Sequence, residues 1–284
     1  PKVIFARLKI NLKKQRVARD FAKWSEVRKC ACAQYKCYTN RSMNRVTQKI
    51  QYHLSENGLS NVNGSPYDNA YDLFKKDRNE VNLIVMGTNG NMTDYGKTNK
   101  EWVSERSRKP DYCHLSLGDW GKSPLREELL KLPDILNNHY GSGTFDKSRM
   151  ILTNGLLLAS QGVSDIPNRF KLLKRQDTKF NRIGDLVKSS MNFFHNCTLS
   201  LSRPSVIFAY GNADSGHSAW RYLTQYYKVK SNIVSIPKGN TGNYKFCSIN
   251  VEGRNVHVIG SPHPCYGYNN LEGDLISKGI SKIC

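Results

Sequence analysis

The amino-acid sequence predicts an α/β protein with a central, largely parallel β-sheet and a basic helical N-terminal region. Short apolar runs alternate with amphipathic helical patterns, and four of the runs end in Gly, Asn, Ser or His. Charge provides a further observation, because residues 1–50 contain fourteen Lys and Arg but only two acidic residues. We expect a three-layer fold, with helices on both faces of the sheet.

The N-terminal region is predicted to cover residues 1–69. Apolar residues recur at helical spacing over residues 14–29 and again from Val46 to Leu54. Ser42 is a candidate N-cap of the second helix, and Gly58 is a candidate end.

The linker between the two predicted domains is the turn-rich segment 58–69, which is followed by the α/β domain at 70–284. In the N-terminal region, Cys30, Cys32 and Cys37 are close enough in sequence to suggest zinc or an iron–sulfur cluster. A fourth ligand and the paired CxxC spacing are missing, so free thiols are favoured, and we expect neither a metal nor another cofactor.

The strands of the sheet are predicted from apolar, β-branched runs that stop at polar loops. The first covers residues 81–86 and leads into the sequence GTNGN. Later strands are predicted at residues 150–153, 206–210 and 256–259, the last in a hairpin with residues 246–251. The strands at 81–86, 150–153, 206–210 and 256–259 are each followed by Gly, Asn, Ser or His. If these four are parallel neighbours, the polar groups at their carboxyl ends converge on one edge of the sheet.

The helices that connect these strands are predicted from apolar spacing and from proline. Ser123 and Pro124 begin a helix that Pro133 is expected to stop. Further helices are predicted around residues 183–195 and at Trp220.

The net charge of +20 indicates a polyanionic partner, most often nucleic acid, although a solvated basic face is the alternative.

The chain contains no HExxH, GxSxG or GxxxxGK[ST] motif, which removes support for a zinc peptidase, a serine hydrolase or a P-loop enzyme. A metal-dependent nuclease is disfavoured because Asp94, Asp111 and Asp119 are scattered. No apolar run approaches the roughly 18 residues of a membrane span, and the given sequence shows no secretory h-region. We expect a monomer in the cytoplasm, nucleoid or nucleus that does not bind membranes.

Asn89, Asn154 and His263 are the side chains predicted to meet at the edge of the sheet. A carboxamide can orient a water molecule or read the edge of a base, and histidine can donate to a developing oxyanion. Aromatic rings can stack on an extruded base. This set suits an N-glycosidic bond that breaks largely by itself and leaves an anionic base.

Four segments resemble the motifs of the uracil-DNA glycosylase superfamily. Gly87-Thr-Asn89-Gly-Asn91 is similar to the first motif in the Asn-type mismatch-specific and single-strand-selective branches, and Leu152-Thr-Asn154 is similar to the second. Phe208–Ala213 resembles a strand-Gly-x-Ala segment, and His263-Pro-Cys265-Tyr266 partly matches the last motif, His-Pro-Ser-Pro. Trp102 lies thirteen positions after Asn89, where the family places a base-stacking aromatic residue.

The resemblance implies a uracil-DNA glycosylase-like fold and a role for each matched residue. Asn89 would position the attacking water, and His263 would stabilise the anionic base. Asn154 would read a flipped base on which Trp102 stacks, in a pocket that includes Gly87 and Asn91. The other expected DNA contacts are a wedge at Tyr266 or Tyr268 and the basic side chains Lys171, Lys174, Arg175, Arg16 and Arg19.

Departures from the family pattern shape the expected substrate. Gly90 replaces the motif proline, and Cys265-Tyr266 replaces Ser-Pro. Asn91 stands where strict uracil enzymes have a tyrosine that excludes 5-substituted bases. A modified pyrimidine is therefore the expected target, in base repair or in defence against modified DNA. The alternative is a non-catalytic nucleic-acid-binding protein on the same fold.

Overall fold

The computed structural model describes residues 45–63, 81–90, 96–107, 123–176, 178–239, 242–264 and 270–284. The predicted helix at 14–29, the cysteine cluster and the predicted domain boundary between residues 69 and 70 all lie outside these ranges. Residues 44–284 form one compact unit.

The described strands form one six-stranded mixed sheet. In chain order they are β1 Leu83–Asn89, β2 Met150–Leu156, β3 Val206–Tyr210, β4 Val234–Pro237, β5 Asn243–Val251 and β6 Arg254–Ser261. Their order across the sheet is β2-β1-β3-β6-β5-β4, and β2, β1, β3 and β6 run parallel. The β5 strand is antiparallel to both β6 and β4. The predicted strands, the hairpin and the largely parallel α/β class are therefore confirmed.

Helices cover both faces of the sheet. In chain order they are α1 Arg45–Glu56, α2 Asn99–Ser107, α3 Pro124–Leu129, α4 Leu132–Tyr140, α5 Ile166–Lys174, α6 Ile183–Phe193, α7 Ala219–Tyr226 and α8 Gly273–Ile280. Alternate residues of a strand point to opposite faces, so Ile84 packs in one core and Val85 in the other. Helices α1, α2, α5, α6 and α7 contribute to the first core, and α3, α4 and α8 contribute to the second.

The β1 strand is buried on both faces, as its uninterrupted apolar run predicted. Leu83, Ile84 and Val85 have no exposed surface. Burying each such side chain contributes about 1.5–3 kcal/mol relative to leaving it exposed. This strand therefore fixes the position of the loop that follows it.

Two helix ends test the predictions made from glycine and proline. The α1 helix ends before Gly58, whose φ of +68° is the left-handed conformation that favours glycine. The prediction that Pro133 stops a helix is wrong. The helix that begins at Pro124, α3, already ends at Leu129, and Pro133 lies in the first turn of α4, where its fixed φ and missing N–H cost nothing.

No helix among the described residues is long and apolar enough to cross a membrane.

Candidate active site

The carboxyl ends of β2, β1, β3 and β6 lie side by side at one edge of the sheet, as predicted. Asn154 belongs to β2, Gly87 and Asn89 belong to β1, Tyr210 ends β3, and His263 follows β6 by two residues. Ligands in open α/β sheets bind at this kind of edge. We therefore take this edge as the candidate site.

Side chains from β2 and β3, the two strands on either side of β1, meet at Gly87. It is the register partner of Asn154 in the parallel pair of β1 and β2. A Cβ atom on Gly87 would lie 2.5 Å from Asn154 Oδ1 and would also collide with the Tyr210 hydroxyl. A glycine is therefore required here because two polar groups from the neighbouring strands occupy the space of a side chain.

Tyr210 connects this point to His263. The two rings pack edge to face, with centroids 5.2 Å apart and an angle of 87° between their planes. Burial lowers the pKa of His263, so its imidazole is neutral at pH 7. A neutral imidazole still carries one N–H, which can donate to an acceptor that gains negative charge.

Asn89 is held by two hydrogen bonds that its amide nitrogen donates. Nδ2 donates to the Gly90 carbonyl oxygen at 3.0 Å and to Ser160 Oγ at 2.7 Å. The Gly90 carbonyl can only accept, so the amide orientation is fixed by chemistry. Ser160 Oγ uses its own proton to donate to the Gly162 carbonyl at 2.8 Å, and it therefore also accepts from Asn89.

The consequence is that Asn89 Oδ1 has a fixed direction. Both bonds that the described residues give this side chain use Nδ2, which leaves Oδ1 to accept from a ligand or a water molecule. Asn89 is partly exposed and lies two residues, about 7 Å, along the strand from Gly87.

The loop after β3 is held in place by a second set of contacts. Gly211 has a φ of +84°, which a residue with a side chain adopts only with strain. Asn212 donates to the Gly260 carbonyl at 3.2 Å, and Lys245 Nζ lies 2.5 Å from Asp214 Oδ2. The first contact ties the loop after β3 to the end of β6, the strand that leads to His263. The second ties the same loop to β5, where Lys245 is the register partner of Gly260.

Trp102 lies in a different environment from Tyr210. It is 9% exposed and packs in the first core, with Lys97 Nζ 4.8 Å from its ring centroid. Tyr210 belongs to the second core and is the ring that touches the histidine. Of the two rings, Tyr210 is therefore the better placed beside the polar side chains.

Two residues of this site were missed in the sequence. In the sequence, Tyr210 is simply the last apolar residue of a strand, and Ser160 lies in an irregular segment 71 residues from Asn89. The position of Tyr210 at the end of a strand, beside Gly211, was a signal that could have identified it. Nothing in the sequence pairs Ser160 with Asn89.

The remaining predicted contacts fall into two groups. Lys171, Lys174 and Arg175 are exposed on and just after α5, which follows the carboxyl end of β2. Asn91, Tyr266, Tyr268, Arg16 and Arg19 lie outside the described residues. Within the described ranges, no group of three or more His, Cys, Asp or Glu side chains is placed to hold a metal ion.

Comparisons with models of protein families, with curated proteins and with solved structures found no match to this chain.

Proposed function

We propose that this protein is a DNA glycosylase of the uracil-DNA glycosylase superfamily, which hydrolyses the N-glycosidic bond of a flipped pyrimidine. The observation that carries the proposal is the meeting of side chains from adjacent parallel strands at one edge, with Asn154 and Tyr210 against Gly87 and His263 against Tyr210. Asn89, on the same strand as Gly87, presents a carboxamide oxygen of fixed direction.

In the proposed reaction the bond between C1′ of the sugar and the base nitrogen breaks first. Its electron pair stays on the base, which becomes an anion, and the sugar becomes an oxocarbenium-like cation. A water molecule that donates a hydrogen bond to Asn89 Oδ1 then adds to C1′. The proton that this water loses ends on the released base, so the products are a neutral base and an abasic sugar.

His263 acts in this scheme as a neutral hydrogen-bond donor. Its N–H points at the base oxygen on which negative charge grows as the bond breaks. A donor directed at developing charge stabilises the transition state more than the ground state. The lowered pKa supports this role, because a neutral imidazole is the form that is present near pH 7.

The proposed substrate is a modified pyrimidine in DNA. By the resemblance, Asn91 stands in place of the tyrosine that excludes 5-substituted bases, and the net charge of +20 favours a polyanionic substrate. Base repair and defence against modified DNA are the two settings in which such an activity is useful.

The test is a mass-spectrometric search for free bases released from DNAs that contain different modified pyrimidines. Asn89→Ala and His263→Ala are each expected to lower the rate of release by about 100- to 1000-fold. Asn138→Ala is a matched control, since Asn138 is an exposed asparagine near the end of α4. Tyr140 of the same helix contacts His257, the register partner of Val206 at the opposite end of the parallel strands. Failure of the unaltered protein to release a base from every DNA in the panel would falsify the proposal.

A second candidate is a nucleic-acid-binding protein that does not cleave. It is favoured by the Tyr210 hydroxyl, which occupies the space beside Gly87 and Asn154. Both candidates predict DNA binding that weakens with salt, so binding does not separate them. The formation of abasic sites does, because only the glycosylase makes them.

A further inference from the structure

A groove of about 420 Å³ lies between α6 and α7, on the face of the sheet that carries the first core. Val187 and Met191 of α6 and Tyr222 of α7 give it an apolar lining. Gly216 and His217 also line it, and they lie in the segment that connects β3 to α7. Its volume is in the range of pockets that bind small organic ligands.

The charge of the groove is positive. Lys188 of α6 and Arg221 of α7 line it, and none of the described residues that line it is acidic. The Arg221 guanidinium donates to the Gly216 carbonyl oxygen at 2.6 Å, which fixes its position. The remaining Arg221 N–H groups and the Lys188 ammonium make no hydrogen bond to the described residues, so they are available to an anion.

The aromatic rings of the groove are held in place by their hydroxyl groups. The Tyr222 hydroxyl lies 2.7 Å from His217 Nδ1, and the Tyr226 hydroxyl donates to Asn192 Oδ1 at 2.9 Å. Both rings line the groove. Rings fixed in this way offer a flat apolar surface without a large loss of side-chain entropy on binding.

We propose that this groove binds one nucleotide unit of a single-stranded nucleic acid, with the base against Tyr226 and the phosphate at Lys188 and Arg221. A positive groove that also presents aromatic rings is the combination that single-strand-binding proteins use. A duplex would not fit, because its bases are stacked and its width far exceeds that of a groove between two adjacent helices. The net charge of +20 favours a polyanion over a single small anion. This site goes beyond the proposed function, since it requires no base removal.

The test measures binding of a fluorescent ten-nucleotide oligothymidylate at several salt concentrations. Lys188→Met combined with Arg221→Met is expected to weaken binding about tenfold at low salt. The slope of log K against log salt should fall by about 1.4, which is the value for two phosphate contacts to a single strand. Tyr226→Ala is expected to weaken binding at least fivefold without changing that slope.

The matched control is Arg203→Met combined with Lys282→Met, which removes two exposed charges outside the groove. Thermal unfolding of every variant checks that the fold is kept. The inference is overturned if the groove variant and the control have the same affinity and salt slope, or if Tyr226→Ala binds like the unaltered protein.

The outcome is separable from that of the proposed function. Loss of oligothymidylate binding in the groove variants of a protein that releases no base would support the groove and contradict the glycosylase. Base release by the protein, together with unchanged oligothymidylate binding in the groove variants, would support the glycosylase and contradict the groove.

Discussion

Among the described residues, Ser160 accepts one of the two hydrogen bonds that the Asn89 amide donates. Ser160→Ala removes this acceptor and leaves the bond to the Gly90 carbonyl as the remaining one of the two. We expect the unfolding free energy to fall by about 1 kcal/mol and the rate of base release to fall about tenfold, because Oδ1 is then held less firmly. Urea unfolding and single-turnover kinetics measure the two effects.

Ser281→Ala is the control for this change. Ser281 is an exposed serine whose hydroxyl bonds only the carbonyl of Ser277 among the described residues. We expect its effect on stability to be within about 0.5 kcal/mol and its effect on rate to be absent. Equal effects of the two variants on the rate would show that Ser160 does not position Asn89.

Gly87 gives a second prediction at the residue scale, and it does not depend on any activity. A methyl group at this position would overlap with Asn154 Oδ1 and with the Tyr210 hydroxyl. We expect Gly87→Ala to lower the unfolding free energy by about 1–3 kcal/mol, which is the usual cost of overpacking a buried position. Chemical denaturation of the purified variant measures it.

Gly162→Ala is the matched comparison for Gly87→Ala. Gly162 has an extended backbone, with a φ of 179°, and a Cβ atom there would meet nothing within 4 Å among the described residues. Its unfolding free energy should therefore stay within about 0.5 kcal/mol of that of the unaltered protein. If the two alanine variants were equally stable, the three strands would not pack tightly at Gly87.

At the scale of elements, the parallel strands were predictable because each is an apolar run that ends at Gly, Asn or Ser. The edge strand Val234–Pro237 was not, since it has four residues, only Ile236 is buried, and it ends in proline. The helical apolar spacing of Leu125, Leu129 and Leu132 continues across the junction of α3 and α4, which is why one helix was expected there. The apolar pattern of the sequence therefore located the strands that are buried on both faces. It did not locate the edge strand or the junction of α3 and α4, which depend on packing against neighbouring elements.

The same limit applies to the candidate site. Asn89, Asn154 and His263 could be placed at one edge because strand ends converge in a parallel sheet. The contacts made by Tyr210 and Ser160 depend on strand register and on an irregular segment. Neither of these can be deduced from local residue spacing.

Helix α1 gives a prediction about pH. His53 of α1 packs on the Phe193 ring at 5.0 Å and lies 3.3 Å from the Ser189 hydroxyl, both in α6. Burial lowers the pKa of His53 to about 4, whereas the unfolded chain has the ordinary value of 6.5. Between these values the unfolded state binds more protons. Stability is therefore complete above pH 6.5 and falls as the pH drops towards 4.

We expect the protonation of His53 alone to lower the free energy of unfolding by about 2 kcal/mol when the pH falls from about 7.5 to about 5. His53→Phe keeps a ring against Phe193 but cannot be protonated, so its stability should fall by about 2 kcal/mol less over this interval. Urea unfolding at the two pH values measures the difference. An identical pH dependence in both proteins would mean that His53 is solvated in the folded state.

At the scale of the whole molecule, half of the net charge lies outside the compact unit that contains the sheet. Residues 1–43 carry twelve Lys and Arg and two acidic residues, while residues 44–284 form the compact unit. We expect a chain that begins at Asn44 to unfold with an unchanged midpoint, because all the described residues of the two cores lie within it. Its affinity for duplex DNA should fall, since fewer bound phosphates release fewer counterions.

The size of this effect follows from how many phosphates residues 1–43 bind. Each bound phosphate contributes about 0.9 to the slope of log K against log salt for duplex DNA. If a third of the twelve basic side chains bind phosphates, their removal lowers the slope by about 3 to 4. Arg16→Gln combined with Arg19→Gln in the full chain should lower it by up to about 1.8.

Fluorescence anisotropy between about 50 and about 300 mM salt measures both slopes, over the range in which counterion release governs affinity. Because Asn89, Asn154 and His263 remain in the shorter chain, saturating DNA should restore its rate of base release. A weakened affinity with a normal rate at saturation would assign residues 1–43 to DNA binding and the chemistry to the sheet. A slope that does not change on truncation would instead place the DNA contacts wholly within residues 44–284.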